Sequence, residues 1–249
     1  MSCATEEERL NVAKSEDLLL TMYSIQLPDV QPAYCTDDLL DCVVDNTSVK
    51  ILEKFHPVML STHNPIFVHG DGNCMYRAAS MGAFKASSHH ALLQLKTTIE
   101  LILSPSHYDS TREDYVDVIA DDRLVIDSYA EIVKRALSLG AGGSACMRTI
   151  AATSSVLGFP IQMYCPPSNA VHFLTEPLTK RVLGRGVRPT FEPCSHLMWA
   201  QMHVPHVPRD FGPDHFALLC KRKDLDANEP YLVVDDVDSN DKSRQKSPN

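Results

Sequence analysis

Apolar residues recur at helical spacing through the first two-thirds of the chain and gather into short continuous runs in the last third. That order predicts helices first and strands afterwards, the arrangement of an α+β fold. Glu16-Asp17 precede Leu18-Leu19-Leu20, a short helix that Pro28 and Pro32 bring to an end. A second helical stretch runs from Asp37 to about Phe55, with apolar residues at 39, 40, 43, 44, 51 and 52. The extended run Pro65-Ile66-Phe67-Val68-His69 ends in Gly70-Asp71-Gly72-Asn73, and Cys74-Met75-Tyr76-Arg77-Ala78 follows at once. This is a glycine-rich turn opening a helix.

Further helices are expected over 89–104, closed by Ser104-Pro105, over about 124–139, closed by Gly140, and from Ser144 to Leu157 after Gly142-Gly143. Strands are expected at 160–164, 196–202 and 215–220. Residues 176–195, which contain Pro177, Gly184, Gly186, Pro189 and Pro193, read as a connecting loop. The chain is thus expected to divide into a helical lead-in over 1–60 that packs on or precedes the core, one compact domain over 61–223, and an acidic, polar, disordered tail over 224–249. No internal repeat interrupts this order.

With 249 residues, 44% of them hydrophobic, the chain is long enough for one domain with a proper core. The formal charge of −9, with 23 basic residues scattered along the chain, excludes direct nucleic-acid binding as the expected role, because phosphate contacts need clustered Lys and Arg. Eight cysteines, at 3, 35, 42, 74, 146, 165, 194 and 220, are expected to be reduced thiols. The acidic N-terminus lacks an apolar core, and no stretch approaches the ~20 apolar residues that span a bilayer. The expectation is a cytoplasmic or nuclear protein with no membrane association.

Cys74 opens a helix, where free amide N–H groups and the helix dipole favour negative charge and so lower a thiol's pKa. The turn before it, with Gly72 and Asn73, can aim N–H groups at a developing oxyanion. An isolated cysteine in such a place would more often be a packing residue. A thiol nucleophile also needs a base on another rigid element. Among eleven histidines, His215 stands out because it opens a late apolar strand after Phe211-Gly212-Pro213-Asp214. Cys165, Cys194, His196 and Cys220 lack the spacing of a metal site, so neither metal nor cofactor is expected.

The run Gly70-Asp71-Gly72-Asn73-Cys74-Met75-Tyr76-Arg77-Ala78 resembles the nucleophile motif of the ovarian-tumour (OTU) cysteine deubiquitinases: Asp-Gly-Asn-Cys, then Leu or Met, an aromatic, Arg and a small residue. Gly142-Gly143, the helix into Leu157-Gly158-Phe159-Pro160-Ile161-Gln162-Met163-Tyr164, and Asp214-His215-Phe216 resemble that family's later segments in order and spacing. The resemblance covers about residues 65–220. The run from Ser155 to Ile161, with Met198-Trp199 and His215-Phe216, further resembles the vertnin-related branch.

The resemblance implies a papain-like OTU fold, with helices flanking a small, mainly antiparallel sheet, and makes 61–223 an OTU-like catalytic domain. It implies a thiol-dependent deubiquitinase acting on ubiquitin or a ubiquitin-like modifier, with Cys74 as nucleophile, His215 as general base and later acid, and backbone amides of the Asp71–Cys74 turn as oxyanion hole. Phe216 and Trp199 would flank the channel for the modifier's C-terminal glycines. The alternative is a catalytically weak or inactive OTU-fold module that binds ubiquitin.

One position departs from the pattern. Family members commonly carry Asn or Asp two residues after the histidine, on the same strand face, to hold the imidazole. Here that residue is Ala217. The orienting group is then Asp71, Asp214 or a group on the 196–202 strand, or the site runs as a dyad. Asp71 itself either serves the catalysis or only shapes the turn.

Overall fold

A five-stranded sheet forms the spine of the computed structural model, which describes residues 17–109, 112–113, 128–137, 145–166, 178–204 and 214–222. Its strands are β1 (His63–Ile66), β2 (Ile161–Cys165), β3 (Leu178–Val182), β4 (Ser195–Ala200) and β5 (His215–Lys221), ordered β1-β5-β4-β2-β3. The β2–β4 pair is parallel; β1–β5, β4–β5 and β2–β3 are antiparallel. This is the α+β architecture with a mainly antiparallel sheet that the sequence predicts.

The helices are α1 (residues 17–24), α2 (Asn46–Phe55), α3 (Pro57–Thr62), α4 (Cys74–Phe84), α5 (His90–Leu103), α6 (Pro105–Tyr108), α7 (Tyr129–Leu137) and α8 (Met147–Leu157). The central strand β5 decides how they stack, because its alternate side chains leave on opposite faces. Phe216, Leu218 and Cys220 enter the larger core with Met75, Ala78 and Ala79 of α4 and Ile150 of α8. Ala217 and Leu219 meet Ile51 and Leu52 of α2 on the other face. Covered on both sides, β5 is buried from His215 to Cys220, which is why its sequence reads as one apolar run.

Helix α4 approaches β4 closely because Gly82 has no side chain. A Cβ there would stand 2.8 Å from the Ser195 Cβ and 2.4 Å from its Oγ. The stretch after α1 lies on the same helix: the Gln31 and Ala33 N–H groups donate to the carbonyls of Ala83 and Gly82, both at 2.8 Å, and Leu27, Val30 and Ala33 pack on the core.

The long helix expected over 37–55 is shorter in the structure. A 3₁₀ turn at Thr36–Asp38 comes first, Asp41 takes a positive φ of 55°, and α2 begins only at Asn46. Residues 43–45 run instead beside β1, with Val44 bridged to Ile66 and the Phe67 N–H donating to the Val43 carbonyl at 2.8 Å. Val43 and Val44, which look like a helical stripe, are half of an extended pair. Of the extended run at 65–69, only Pro65 and Ile66 belong to β1, which begins at His63.

The segment expected to be a loop over 176–195 contains β3, which pairs with β2 from Leu178 opposite Cys165 to Val182 opposite Ile161. Thr179, Lys180 and Arg181 gave it no apolar pattern because it is an edge strand, where charge discourages pairing with another chain. The expected helix over 124–139 begins at Tyr129; positions 124–127, Gly140, Gly142-Gly143 and the 224–249 tail lie outside the described residues. Cys35, Cys42, Cys74, Cys146, Cys165, Cys194 and Cys220 are free thiols. Among the described residues, no helix is long and apolar enough to cross a membrane.

Candidate active site

Cys74 is the first residue of α4, and the turn before it is locked by one carboxylate. Asp71 Oδ1 accepts the Asn73 N–H at 3.1 Å, while its Oδ2 accepts Arg77 Nε at 3.0 Å and Nη2 at 2.6 Å. Arg77 returns its own N–H to the Asn73 carbonyl at 2.9 Å, and its Nη1 reaches His90 Nδ1 at 3.3 Å. Gly72, between them, has a φ of 82°, a left-handed conformation that glycine adopts without strain. The hydrogen bond from Arg77 chiefly holds the Asp71 carboxyl down at about 2. The Asn73 N–H is taken by Asp71, so the amides of Gly72 and Cys74 are the turn's remaining candidates for an oxyanion.

Burial pushes the Cys74 thiol up from its ordinary value, and the N–H groups of Phe216, Met75 and Cys74 itself pull the other way. The Phe216 amide belongs to β5, so the sulfur lies at the mouth of that strand, beside the residue that follows His215. The Cys74 sulfur thus lies against the residue that follows His215, the two elements being 141 positions apart in sequence at Cys74 and His215.

His215 is 3% exposed, and neither ring nitrogen has a hydrogen-bond partner. Its ring lies against Gly70, where a Cβ would stand 3.5 Å from Nδ1, and 6.5 Å from the Phe67 ring centroid. Burial pushes the imidazole pKa down. Opposing this are the negative charges of Asp45, Asp214 and Asp71 and the Val68 carbonyl, with Asp45 foremost. Burial thus favours the neutral form of both the Cys74 thiol and the His215 imidazole, and neither His215 nitrogen is bonded to the sulfur.

Asp214 turns its Oδ1 to the Met202 N–H at 3.0 Å and its own N–H to the Ala200 carbonyl at 3.2 Å, which ties the entry to β5 onto the end of β4. Trp199 and Phe216 face each other across the β4–β5 ladder, edge to face with centroids 6.0 Å apart, and are 5% and 7% exposed. Asn73 contributes a buried Oδ1 without a partner.

Asp45 was not singled out by the sequence reading. It caps α2, its Oδ1 accepting the N–H groups of Thr47 and Ser48 at 3.0 and 3.2 Å and its Oδ2 the Ser48 hydroxyl at 2.6 Å. The signal was an Asp followed three residues later by Ser ahead of Ile51-Leu52, a helix-cap pattern hidden by extending that helix back to residue 37. Among the described residues, no group of three or more His, Cys, Asp or Glu is placed to hold a metal ion. Burial pushes the thiols of Cys165, Cys194 and Cys220 up to about 12.

A cysteine at a helix start, a histidine at the start of a neighbouring antiparallel strand and the locked turn between Gly70 and Cys74 define an OTU-type protein. Within that class the chain belongs to the family described as "Vertnin, OTU domain", whose sequence profile matches residues 65–200, more than half of its length. Solved structures similar to it include the OTUD1 OTU domain, 16% identical over 70% of this chain and 93% of that one, with a TM-score of 0.44. The OTU domain protease of Dera Ghazi Khan virus is 15% identical over 66% and 83%, with a TM-score of 0.39. The Hazara virus OTU bound to ubiquitin is 17% identical over 66% and 84%, with a TM-score of 0.38. No curated protein matches the chain in sequence.

Proposed function

We propose that this chain is a thiol-dependent deubiquitinase, cytoplasmic or nuclear, that cuts the isopeptide bond at the C-terminal glycine of ubiquitin or a ubiquitin-like modifier. The observation that carries the reading is the placement of the Cys74 sulfur at the N-terminus of α4 and beside the Phe216 N–H, next to His215. His215 takes the thiol proton as Cys74 Sγ attacks the glycine carbonyl carbon. The S–C bond forms, the C–N bond breaks, and the same proton passes from His215 to the lysine amine that leaves. Water, deprotonated by His215, then opens the thioester and the proton returns to the thiol.

The amides of Gly72 and Cys74 donate to the oxyanion, worth about 2.7–4 kcal/mol per donor in comparable sites. Apo hydrogen bonds of this kind are often absent and form only with substrate, which suits the unbonded His215. Phe216 and Trp199 are nearly buried, while the exposed Phe67 and Met202 lie beside His215 and Gly70.

A second reading has its own observation. Ala217 and the burial that favours the neutral forms of Cys74 and His215 suit an OTU-fold module that holds ubiquitin without cleaving it. A ubiquitin probe with an electrophilic C-terminus separates the two. The deubiquitinase reading expects a covalent adduct with the wild type and none with Cys74→Ala. No adduct across several modifiers, with ubiquitin still bound, sinks it in favour of the binding module.

A further inference from the structure

Ala217 leaves His215 without the strand partner that its relatives commonly place two residues on, and the structure brings another carboxylate to that face. The alternation of β5 puts His215, Ala217 and Leu219 on one side of the sheet. That side is covered by α2, through Ile51 and Leu52 against Ala217 and Leu219. Ser48 stands three and four residues before Ile51 and Leu52, on the same helix face, and is 0% exposed. The first turn of α2 is therefore the part of the helix pressed to the sheet on the face that carries His215.

The backbone fixes that first turn in place. Asp45 donates its N–H to the Pro65 carbonyl at 2.9 Å, Val44 bridges Ile66, and Ile66 pairs with Leu218 of β5. Asp45 is 7% exposed. A buried carboxylate needs partners, and this one has three: two cap N–H groups on Oδ1 and one hydroxyl on Oδ2. Two carboxylate oxygens offer about four acceptor sites, so Oδ2 keeps capacity beyond Ser48. His215 opens β5 on that same face, buried, with neither ring nitrogen in a hydrogen bond of ordinary geometry and the Val68 carbonyl turned toward it.

We propose that Asp45, from the cap of α2, is the positioning carboxylate of His215, taking the place that Ala217 vacates. The inference deepens the thiol chemistry proposed above and rests on it. Asp45 holds the negative charge that stabilises the imidazolium formed when His215 takes the Cys74 proton. The other groups facing His215 are less suited. Asp71 has both oxygens bonded, by Asn73 and Arg77, Asp214 ties the entry of β5 to the Met202 amide and acts on the imidazole less than Asp45 does, the Val68 carbonyl carries no net charge, and the Cys74 thiol is the proton donor itself. The electrostatics agree, because Asp45 acts on the imidazole more strongly than Asp214 or Asp71.

The test uses the full chain, and its first arm needs no ubiquitin. Asp45→Asn and Asp45→Ser both remain good helix caps without the charge, and Asp214→Asn removes the charge nearest in sequence. The His215 midpoint is followed by NMR, and the pH profile of Cys74 alkylation by iodoacetamide is followed alongside. Loss of Asp45's charge is expected to lower the His215 midpoint by about one unit. Alkylation near neutral pH should fall about tenfold, which Asp214→Asn should not reproduce. A His215 midpoint unchanged in either folded Asp45 variant overturns the proposal and leaves Asp45 a helix cap. If instead the midpoint shifts while wild type forms no ubiquitin adduct, the positioning role stands and the deubiquitinase reading falls.

Discussion

Arg77 closes back on Asp71 six residues earlier, its Nη2 2.6 Å from the carboxylate, and so clamps the turn whose last residue caps the helix of Cys74. The pair is partly exposed, with side chains 21% and 40% accessible, so its value lies in geometry more than in stability. Asp71→Asn keeps an oxygen for the Asn73 N–H but turns an NH2 group to Arg77, and is expected to lose only part of the Cys74 reactivity. Asp71→Ala and Arg77→Ala should each lose it on the order of tenfold, because a loosened turn misplaces the sulfur. Iodoacetamide alkylation rates and probe labelling measure this. An Asp71→Asn variant as inert as Cys74→Ala would instead make the carboxylate itself part of the chemistry.

The clamp should also be insensitive to ordinary acid. Asp71 is held at about 2, chiefly by the hydrogen bond from Arg77, below the 3.8 of a free carboxyl. Whatever the pair contributes is thus fully present above about pH 4 and fades only as pH falls through 2. Alkylation profiles of wild type and Arg77→Ala should therefore keep a constant ratio from pH 8 to 5. A ratio that closes within that range would contradict the assignment.

Much of the candidate site is legible in the sequence. Cys74 and the strand of His215 could be placed because turn glycines and continuous apolar runs are local signals. Asp45 was not legible, since residues 39–44 carry apolar positions compatible with a helix and only pairing with β1 makes them extended. Strand β3 escaped for the same reason: Thr179, Lys180 and Arg181 carry no apolar alternation, and the hydrogen bonds to β2 alone define it. Non-local pairing overrode local pattern in both places.

Acid should unfold the protein through the other end of β5. His63 of β1 and His196 of β4 lie with ring centroids 5.7 Å apart. Burial first, then the Lys221 charge, pushes His63 down to about 4. Burial first, then His63, Lys221 and Arg181, pushes His196 down to about 3. Both lie below the 6.5 of an unfolded histidine, so between those values the unfolded chain binds more protons. Stability from keeping them neutral is complete above pH 6.5 and is lost as pH falls toward 4 and 3. Tm should drop between pH 7 and 5, and His196→Gln should flatten that dependence; an equal slope in both proteins would refute it.

Glu100 of α5, 1% exposed, is held by Arg185 through Nε and Nη2, both at 2.8 Å, and by the hydroxyls of Tyr108 and Tyr23 at 3.2 and 3.3 Å. Arg185→Ala leaves a buried charge with two neutral donors and should cost about 2 kcal/mol in urea denaturation. Arg185→Lys should recover only part, because a point charge replaces a two-pronged fork. Full recovery by lysine would mean that charge alone matters.

Gly82 offers the sharpest mechanical test, since it sets how near the helix of Cys74 comes to the sheet. A Cβ at that position meets the Ser195 Cα at 3.0 Å as well as its side chain, and Ser195 cannot swing away because its Oγ donates to the Ala79 carbonyl at 3.0 Å. Gly82→Ala therefore has to push α4 from β4, at a cost of about 1–3 kcal/mol. For a chain of this size that is a fall in Tm of about 3–10 °C. Ser195→Gly removes the Cβ and Oγ that clash, so the double variant should be more stable than the two single losses predict. The shift of α4 also moves Cys74 relative to β5, so Gly82→Ala should lower the alkylation rate at temperatures where it remains folded. Additive losses, or an unchanged alkylation rate, would show that α4 absorbs the methyl group by local adjustment and that its distance from β4 does not set the position of the sulfur.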